Sequence, residues 1–434
     1  MQRPRGTRDF GPDEMAAREA VGAQMRGVFR RFGYREVQTP TFEELELFTA
    51  KSGEGIKAEL YDFKDKGDRA LTLRPELTAP VMRMYYESHF NDPKPIKWFY
   101  FGACYRYDRP QAGRYREFWQ FGCEQIGAGT PLAYAELIAL ADATMREAGV
   151  KSREFFVGHV KILQALLDQW KFKSSEQRKE ALRLIDKQDF HGGSLKAILE
   201  QCEDFTDAKA DQFIEFLTHT SSTFHQALSL LADLYRVLGD PNNPILRAIE
   251  ELEQVFAHLK SFGVENVKLN LGIARGLDYY TGIVFEMHCP LLGAEKQLLG
   301  GGGYDLSGVF GGQPTPTMGF GLGFDRTLVA LEKEGAQLPK SEGPVVYLAA
   351  LGEKAQQFVA GTAAALRRAG VAVDIDLLGR KPASAAKHAD AVGARHLVVV
   401  GDRDLEAGTV QVKELATGKV ESVGLNELPA WFVA

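Results

Sequence analysis

Cysteine is sparse in this 434-residue chain: there are four, and none lies in a Cys-x-x-Cys pair. Cys104, Cys123, Cys202 and Cys289 are spaced too widely for a disulfide framework or a structural zinc site. Cys104 and Cys123 sit in apolar, strand-like surroundings and read as buried free thiols. Long apolar runs are missing too. None approaches the roughly 18 to 20 residues that a membrane-spanning helix needs. Met1 to Phe10 holds no apolar stretch of the kind a secretion signal carries, so a cytoplasmic protein without a membrane partner is expected. Basic excess is absent as well: 52 Lys and Arg stand against 58 Asp and Glu, a net charge of −6. Bulk charge therefore does not draw this chain to DNA or RNA, and any RNA contact must come from a local patch or from shape. The nine histidines form no His-x-x-x-His pattern, no Ser-His-Asp or Cys-His constellation is visible, and no metal ligands are assigned.

What is present points to more than one core. A chain of this length predicts two or three domains. An apolar stripe at Met15, Ala16, Val21, Met25, Val28 and Phe29 predicts an opening helix over residues 12–31, stopped by Gly33, with extended chain from Val37 to Pro40. Two β-rich runs, 96–107 and 117–126, flank a basic stretch containing Pro110 and Gly113, the pattern of an antiparallel hairpin with a functional loop. Residues 161–260 turn to helical spacing. Helices are expected there over 174–186, 208–218 and 221–237, with a turn at 239–244, so the stretch reads as a helical insertion.

Strand character returns at 267–273 and 282–288. Glycines then crowd residues 300–323, and Gly319, Gly321 and Gly323 alternate with apolar residues before Asp325-Arg326, which predicts a strand entering a helix with close backbone approach. Residues 333–344 are polar and read as a linker, closing a first domain at 1–332. In 345–434, strands at 345–351, 371–377 and 396–400 alternate with helices at 354–369 and 382–392, a small α/β domain with a mostly parallel sheet. Its ten Lys and Arg balance ten Asp and Glu, so it is neutral.

Three stretches could carry chemistry. Arg106, Arg109, Arg114 and Arg116 cluster beside a strand whose alternation puts Gln120, Gly122 and Glu124 on one face. From this stretch alone, a small polar pocket and a solvated sheet face with surface arginines stay equally open. Arg275-Gly276-Leu277-Asp278-Tyr279-Tyr280 is a compact polar turn that suits a planar or anionic ligand, or is a decorated β-turn. Leu73-Arg74-Pro75-Glu76-Leu77-Thr78 reads first as the cap of a helix running to Glu87.

Together these stretches resemble the class II aminoacyl-tRNA synthetases, and specifically the histidyl-tRNA synthetase family, along nearly the whole chain. Arg5-Gly6-Thr7-Arg8-Asp9-Phe10 with Pro12 is similar to the family's N-terminal signature. Phe99 to Glu124 resembles motif 2, Gly319 to Arg326 resembles motif 3, and Arg275 to Tyr280 matches the histidine-specific motif unchanged. The resemblance implies an α/β protein with an α+β catalytic core: an antiparallel sheet flanked by helices, a helical insertion, and an anticodon-binding α/β domain at 345–434. Motif 1, around Glu19 to Pro40, would lie at a homodimer interface.

By the same resemblance, Glu76 and Thr78 would hold the substrate's α-amino end with help from Gln120. Glu124, Tyr279 and Tyr280 would face the imidazole. Arg106 and Arg275 would contact the α-phosphate and carboxylate as the catalytic pair, while Arg326 and Arg114 would reach the far phosphates of ATP, with Mg2+ travelling on those phosphates. L-histidine, ATP and tRNA(His) are the implied partners. One departure stands out: where the family usually has Gly-Gly-Arg-Tyr-Asp, this chain has Gly301-Gly302-Gly303-Tyr304-Asp305, so that arginine's role is not carried over.

Such a site suits the chemistry. Two anions must meet, and fixed guanidinium groups supply the positive charge without a protein nucleophile. A carboxylate and a tyrosine hydroxyl left unpaired by Phe or Leu would select histidine without editing. The alternative is a histidine-binding regulatory paralogue of ATP phosphoribosyltransferase without synthetase activity.

Overall fold

In the computed structural model of the chain, residues 1–52, 54–108, 114–168, 170–186, 193–218, 226, 229, 244–273 and 280–433 are described. The apolar stripe near the N-terminus forms the helix Pro12–Arg31, and Gly33, at φ 80°, lets the chain turn out of it. β1 (Arg35–Glu36) follows. β2 (Phe42–Glu44), β3 (Asp62–Lys64) and β4 (Ala70–Leu73) make a small antiparallel sheet in the order β2-β4-β3.

A larger sheet organises the first part of the chain. β5 (Ile96–Tyr105), β6 (Glu117–Ile126), β7 (Glu154–His159), β8 (Val267–Leu269), β9 (Tyr280–His288), β10 (Gln297–Tyr304) and β11 (Thr317–Gly323) join β1 in the order β1-β5-β6-β11-β10-β9-β7-β8. Only the two outer pairs, β1–β5 and β7–β8, run parallel. Between them every pairing is antiparallel, which lets one face pack on helices and the other hold polar groups. The glycines at 300–303 and at 319, 321 and 323 are thus in the sheet rather than in a linker.

Helices cover the apolar face. Pro131–Glu147 begins with Thr130 accepting from the Ala133 amide and Pro131 at its first turn, and it buries Leu137, Ile138 and Leu140. Phe29 stacks on Phe99 with ring centroids 4.9 Å apart and planes 8° apart, and it meets Phe121 and Phe320 at 5.9 Å. This aromatic layer ties the opening helix to β5, β6 and β11. The stretch after β7 carries the helices Val160–Asp168, Ser175–Asp186, Ser194–Leu199, Asp207–Thr218 and Pro244–Ser261. The helix expected over 221–237 and the turn at 239–244 lie outside the described residues, apart from Gln226, Ser229 and Pro244.

The chain divides into two compact units, one of residues 1–11 with 18–338 and one of 12–17 with 339–434. The second holds β12 (Val346–Leu351), β13 (Val373–Ile375), β14 (His396–Gly401), β15 (Thr409–Glu414) and β16 (Val420–Gly424), in the order β13-β12-β14-β15-β16. β12 pairs in parallel with β13 and β14, but β14–β15 and β15–β16 are antiparallel. The expected mostly parallel sheet is therefore half antiparallel. Alternation in Thr409–Glu414, with Val410 and Val412 buried, carries that strand signal.

Phe29→Ala should leave a cavity in the aromatic layer and destabilise the first unit by roughly 3 to 5 kcal/mol. A shift of the denaturant midpoint read on that unit checks it, and an unshifted midpoint contradicts the packing described.

Candidate active site

Register across the hairpin sets up the site. Trp98, Tyr100 and Gly102 pair with Glu124, Gly122 and Gln120, so the side chains of Gln120 and Glu124 share a face with Tyr100 between them. Gly122 makes that possible: a Cβ there would lie 2.4 Å from the Tyr100 ring. The Tyr100 hydroxyl donates to Glu124 Oε1 at 2.8 Å, and Tyr304, on β10, donates to Oε2 at 2.5 Å. Thr78 Oγ1 lies 3.3 Å from the Tyr100 hydroxyl and extends the chain.

Glu124 is 1% exposed. Burial pushes its pKa up to about 8, against the pull of the hydroxyls of Tyr304, Tyr100 and Thr78. Burial therefore favours the protonated form of this carboxyl group, which sits in a ring of hydroxyl groups. Burial also pushes the Tyr100 phenol well above its ordinary value and the Cys104 thiol up to about 12. The Cys104 thiol donates to Gln120 Oε1 at 3.3 Å and orients that amide.

Glu76 stands at the start of the helix Thr78–Met84, where its carboxylate accepts from the Thr78 amide at 2.5 Å and the Ala79 amide at 3.0 Å. The first helical turn and a carboxylate suit each other electrostatically. The helix continues as a single π turn, Tyr85–His89, two residues past Glu87. Arg74, 5% exposed, fixes this segment by donating to the carbonyl groups of Thr39 at 2.8 Å, Pro40 at 3.1 Å and Ala103 at 2.9 Å.

A cleft of about 410 Å3 opens above these residues. Its walls bring together Glu76, Thr78, Gln120 and Tyr280 with the guanidinium groups of Arg106, Arg114 and Arg326. Arg106 Nε donates to the Pro75 carbonyl at 2.9 Å, which aims its side chain, and its guanidinium lies 5.2 Å from the Phe118 ring. Arg114 forks onto Asp108 at 2.9 and 3.2 Å. Arg326, in the first turn of the helix Phe324–Lys333, donates to the Gln297 carbonyl at 2.9 Å. Three fixed positive charges in one cleft can bind a polyphosphate and neutralise charge at a reacting phosphate.

Arg275, Tyr279 and Arg109 lie outside the described residues. Glu124 takes hydroxyl partners from Tyr100 and Tyr304. Neither tyrosine was singled out for this role from the sequence. No local pattern marks either one: Tyr100 opposite Gly122, and Tyr304 opposite Tyr280, are pairings that exist only in the folded sheet.

Gly303 has a steric explanation. A Cβ at that position would lie 1.8 Å from the Tyr134 hydroxyl oxygen, and Tyr134 is buried on the helix Pro131–Glu147. In this chain Tyr134 fills the room that a side chain at 303 would need. Among the described residues, no group of three or more His, Cys, Asp and Glu is placed to hold a metal ion, and no helix is long and apolar enough to cross a membrane.

Comparisons with known proteins agree on one family. Residues 6–327 match the family model for histidyl-tRNA synthetase, and residues 345–434 match the model for an anticodon-binding domain. The histidine–tRNA ligase of Archaeoglobus fulgidus is 44% identical over 99% of this chain and 98% of its own length. The crystal structure of apo histidyl-tRNA synthetase from S. aureus covers 100% of the chain and 99% of its own, with a TM-score of 0.72 and 29% identity. A structure described as an ATP phosphoribosyltransferase regulatory subunit/histidyl-tRNA synthetase, from Bacillus halodurans, shares the fold at TM-score 0.76 and 24% identity, over 92% of this chain and 98% of its own.

Two outcomes follow from this geometry. Gly303→Ala should destabilise the first unit by about 1 to 3 kcal/mol by overpacking against Tyr134. Tyr134→Phe, which removes the clashing oxygen, should recover part of that loss, and a double-mutant cycle without coupling would refute the steric account. The second concerns pH. Unfolded Glu124 loses its proton near 4.5, whereas the folded acid keeps it to about 8. Over that window the folded state binds more protons, so stability falls as pH rises. Unfolding free energies of wild type and Glu124→Gln should diverge across it, the wild type losing ground, and parallel curves would show that Glu124 ionises normally.

Proposed function

The chain belongs to the histidyl-tRNA synthetase family, and from that premise we propose that it activates L-histidine with ATP at this cleft and passes the histidyl group to tRNA(His). The observation that carries the site assignment is a buried, hydroxyl-ringed carboxyl group, Glu124, beside a cleft lined by Arg106, Arg114 and Arg326.

In the first step an oxygen of the histidine carboxylate attacks the α-phosphorus of ATP in line, and pyrophosphate leaves with the electron pair of the broken P–O bond. Arg106 and Arg275 meet the reacting phosphate and carboxylate. Arg326 and Arg114 hold the outer phosphates, and Mg2+ accompanies ATP as part of that substrate. In the second step a ribose hydroxyl at the tRNA terminus attacks the carbonyl carbon of histidyl-adenylate, and AMP leaves. Positioning and fixed charge do this work, and no protein nucleophile is needed.

Glu76, Thr78 and Gln120 form the side that takes the α-amino group. Glu124 and the tyrosines Tyr279 and Tyr280, with Tyr304, take the imidazole. A carboxyl group that burial keeps protonated can donate to a bare ring nitrogen, or surrender its proton and pair with an imidazolium. A Phe or Leu side chain would leave it and its tyrosines unpaired, a mismatch worth roughly four to five decades of discrimination.

This reading makes the enzyme cytoplasmic and a homodimer, with residues 19–40 at the subunit interface and residues 345–434 taking the anticodon. The regulatory-paralogue reading has less support, because the cleft retains its arginines and the anticodon-binding model matches residues 345–434.

Histidine-dependent exchange of labelled pyrophosphate into ATP tests the proposal. Arg106→Ala and Arg275→Ala should each slow exchange about a hundredfold or more with fold stability little changed. No exchange by the wild type, or strong exchange with another of the twenty amino acids instead, would overturn it.

A further inference from the structure

The N-terminal stretch Arg5 to Phe10 has no part in the reaction as described, yet it makes some of the most buried charge contacts in the first unit. Asp325, 4% exposed, directly precedes Arg326. Its Oδ1 accepts from Arg8 Nη2 at 2.9 Å and from Arg18 Nη1 at 2.7 Å, and its Oδ2 accepts from the Trp119 amide at 2.6 Å. One carboxylate therefore joins four stretches: the N-terminal segment, the opening helix, β6 beside Gln120, and the helix that bears Arg326.

The same segment also holds the returning limb of the arginine loop. The Arg8 guanidinium lies 4.0 Å from the centre of the Tyr115 ring, next to Arg114, and Tyr115 lines the cleft. The Arg116 amide donates to the Gly6 carbonyl at 2.9 Å, and the Arg106 amide donates to the Arg116 carbonyl at 2.9 Å. Phe10 is held in turn between Arg8, at 4.8 Å, and Arg18, at 4.0 Å. A planar guanidinium can bond in its plane and stack on its face at once, which an ammonium cannot.

We propose that Arg8 is a positioning residue for the ATP end of the cleft. Through Asp325 it sets the helix start that carries Arg326, and through Tyr115 it sets the limb that carries Arg114. It touches neither substrate. The proposal rests on the reading that Arg326 and Arg114 hold ATP phosphates. Histidine's end is braced separately by Arg74 and the tyrosines around Glu124, so the two substrates should respond differently when Arg8 is changed.

The test uses the full chain as wild type, Arg8→Ala, Arg8→Lys and Arg326→Ala, measuring equilibrium binding of ATP–Mg2+ and of histidine, with thermal melting alongside. Arg8 is partly exposed, so its variants should fold. Misplacing a binding group by about an ångström can cost up to a hundredfold, so Arg8→Ala should weaken ATP binding by roughly ten- to a hundredfold and change histidine binding less than about twofold. Arg8→Lys keeps the charge on Asp325 but loses the stack on Tyr115, and should fall between wild type and Arg8→Ala. If Arg326→Ala loses ATP affinity while Arg8→Ala keeps it, the positioning role fails and the phosphate site stands. If Arg326→Ala binds ATP as wild type does, both fail. Equal loss of both ligands in Arg8→Ala, with a lowered melting temperature, would mean that Arg8 serves stability alone and also overturns the proposal.

Discussion

Room inside the large sheet is the constraint from which the site follows. A carboxyl group and two tyrosines occupy space that side chains on neighbouring strands would ordinarily fill. Gly122 leaves room for the Tyr100 ring, and Gly303 leaves room for the Tyr134 hydroxyl. Gly319, paired with Glu124 across β6 and β11, would place a Cβ 2.0 Å from the carboxylate. Each missing side chain admits one polar group to a place where water is largely excluded. Burial then raises the Glu124 pKa, and the tyrosine hydroxyls satisfy what burial would otherwise leave unpaired.

Charge is handled differently at the two ends of the cleft. Near Glu124 the groups are hydroxyls and a neutral acid, suited to reading hydrogen-bond donors and acceptors. Toward Arg326 the groups are cations whose positions are fixed by carbonyl oxygens and carboxylates: Arg106 by Pro75, Arg114 by Asp108, Arg326 by Gln297. These anchors cost flexibility but hold the charge preorganised, so that a bound anion would meet it without reorganisation. Asp325 and Arg74 play matching structural parts behind the two ends, one gathering amide and guanidinium donors, the other gathering carbonyl acceptors.

Much of this was legible from the order of residues. Period-3.6 spacing located the helix Pro12–Arg31, and period-2 alternation located the hairpin and put Gln120 and Glu124 on one face, because both patterns depend only on local geometry. The strand of Gly319, Gly321 and Gly323 running into the helix of Arg326 was equally local. The two antiparallel strands after residue 408 escaped notice because they are short: Thr409–Glu414 alternates over only six residues, and Val420–Gly424 is mostly exposed and does not alternate.

The sequence alone pointed to the family and to the arginines that could bring positive charge to an anionic ligand, since these rest on residue types at set spacings. Which hydroxyls hold Glu124, why residue 303 has no side chain, and where Arg8 finds its carboxylate were decided only when strands distant in the chain came side by side. Asp325 and Arg8 are 317 positions apart and 2.9 Å distant. No local pattern encodes such a pair, because it exists only once the sheet and its helices have packed.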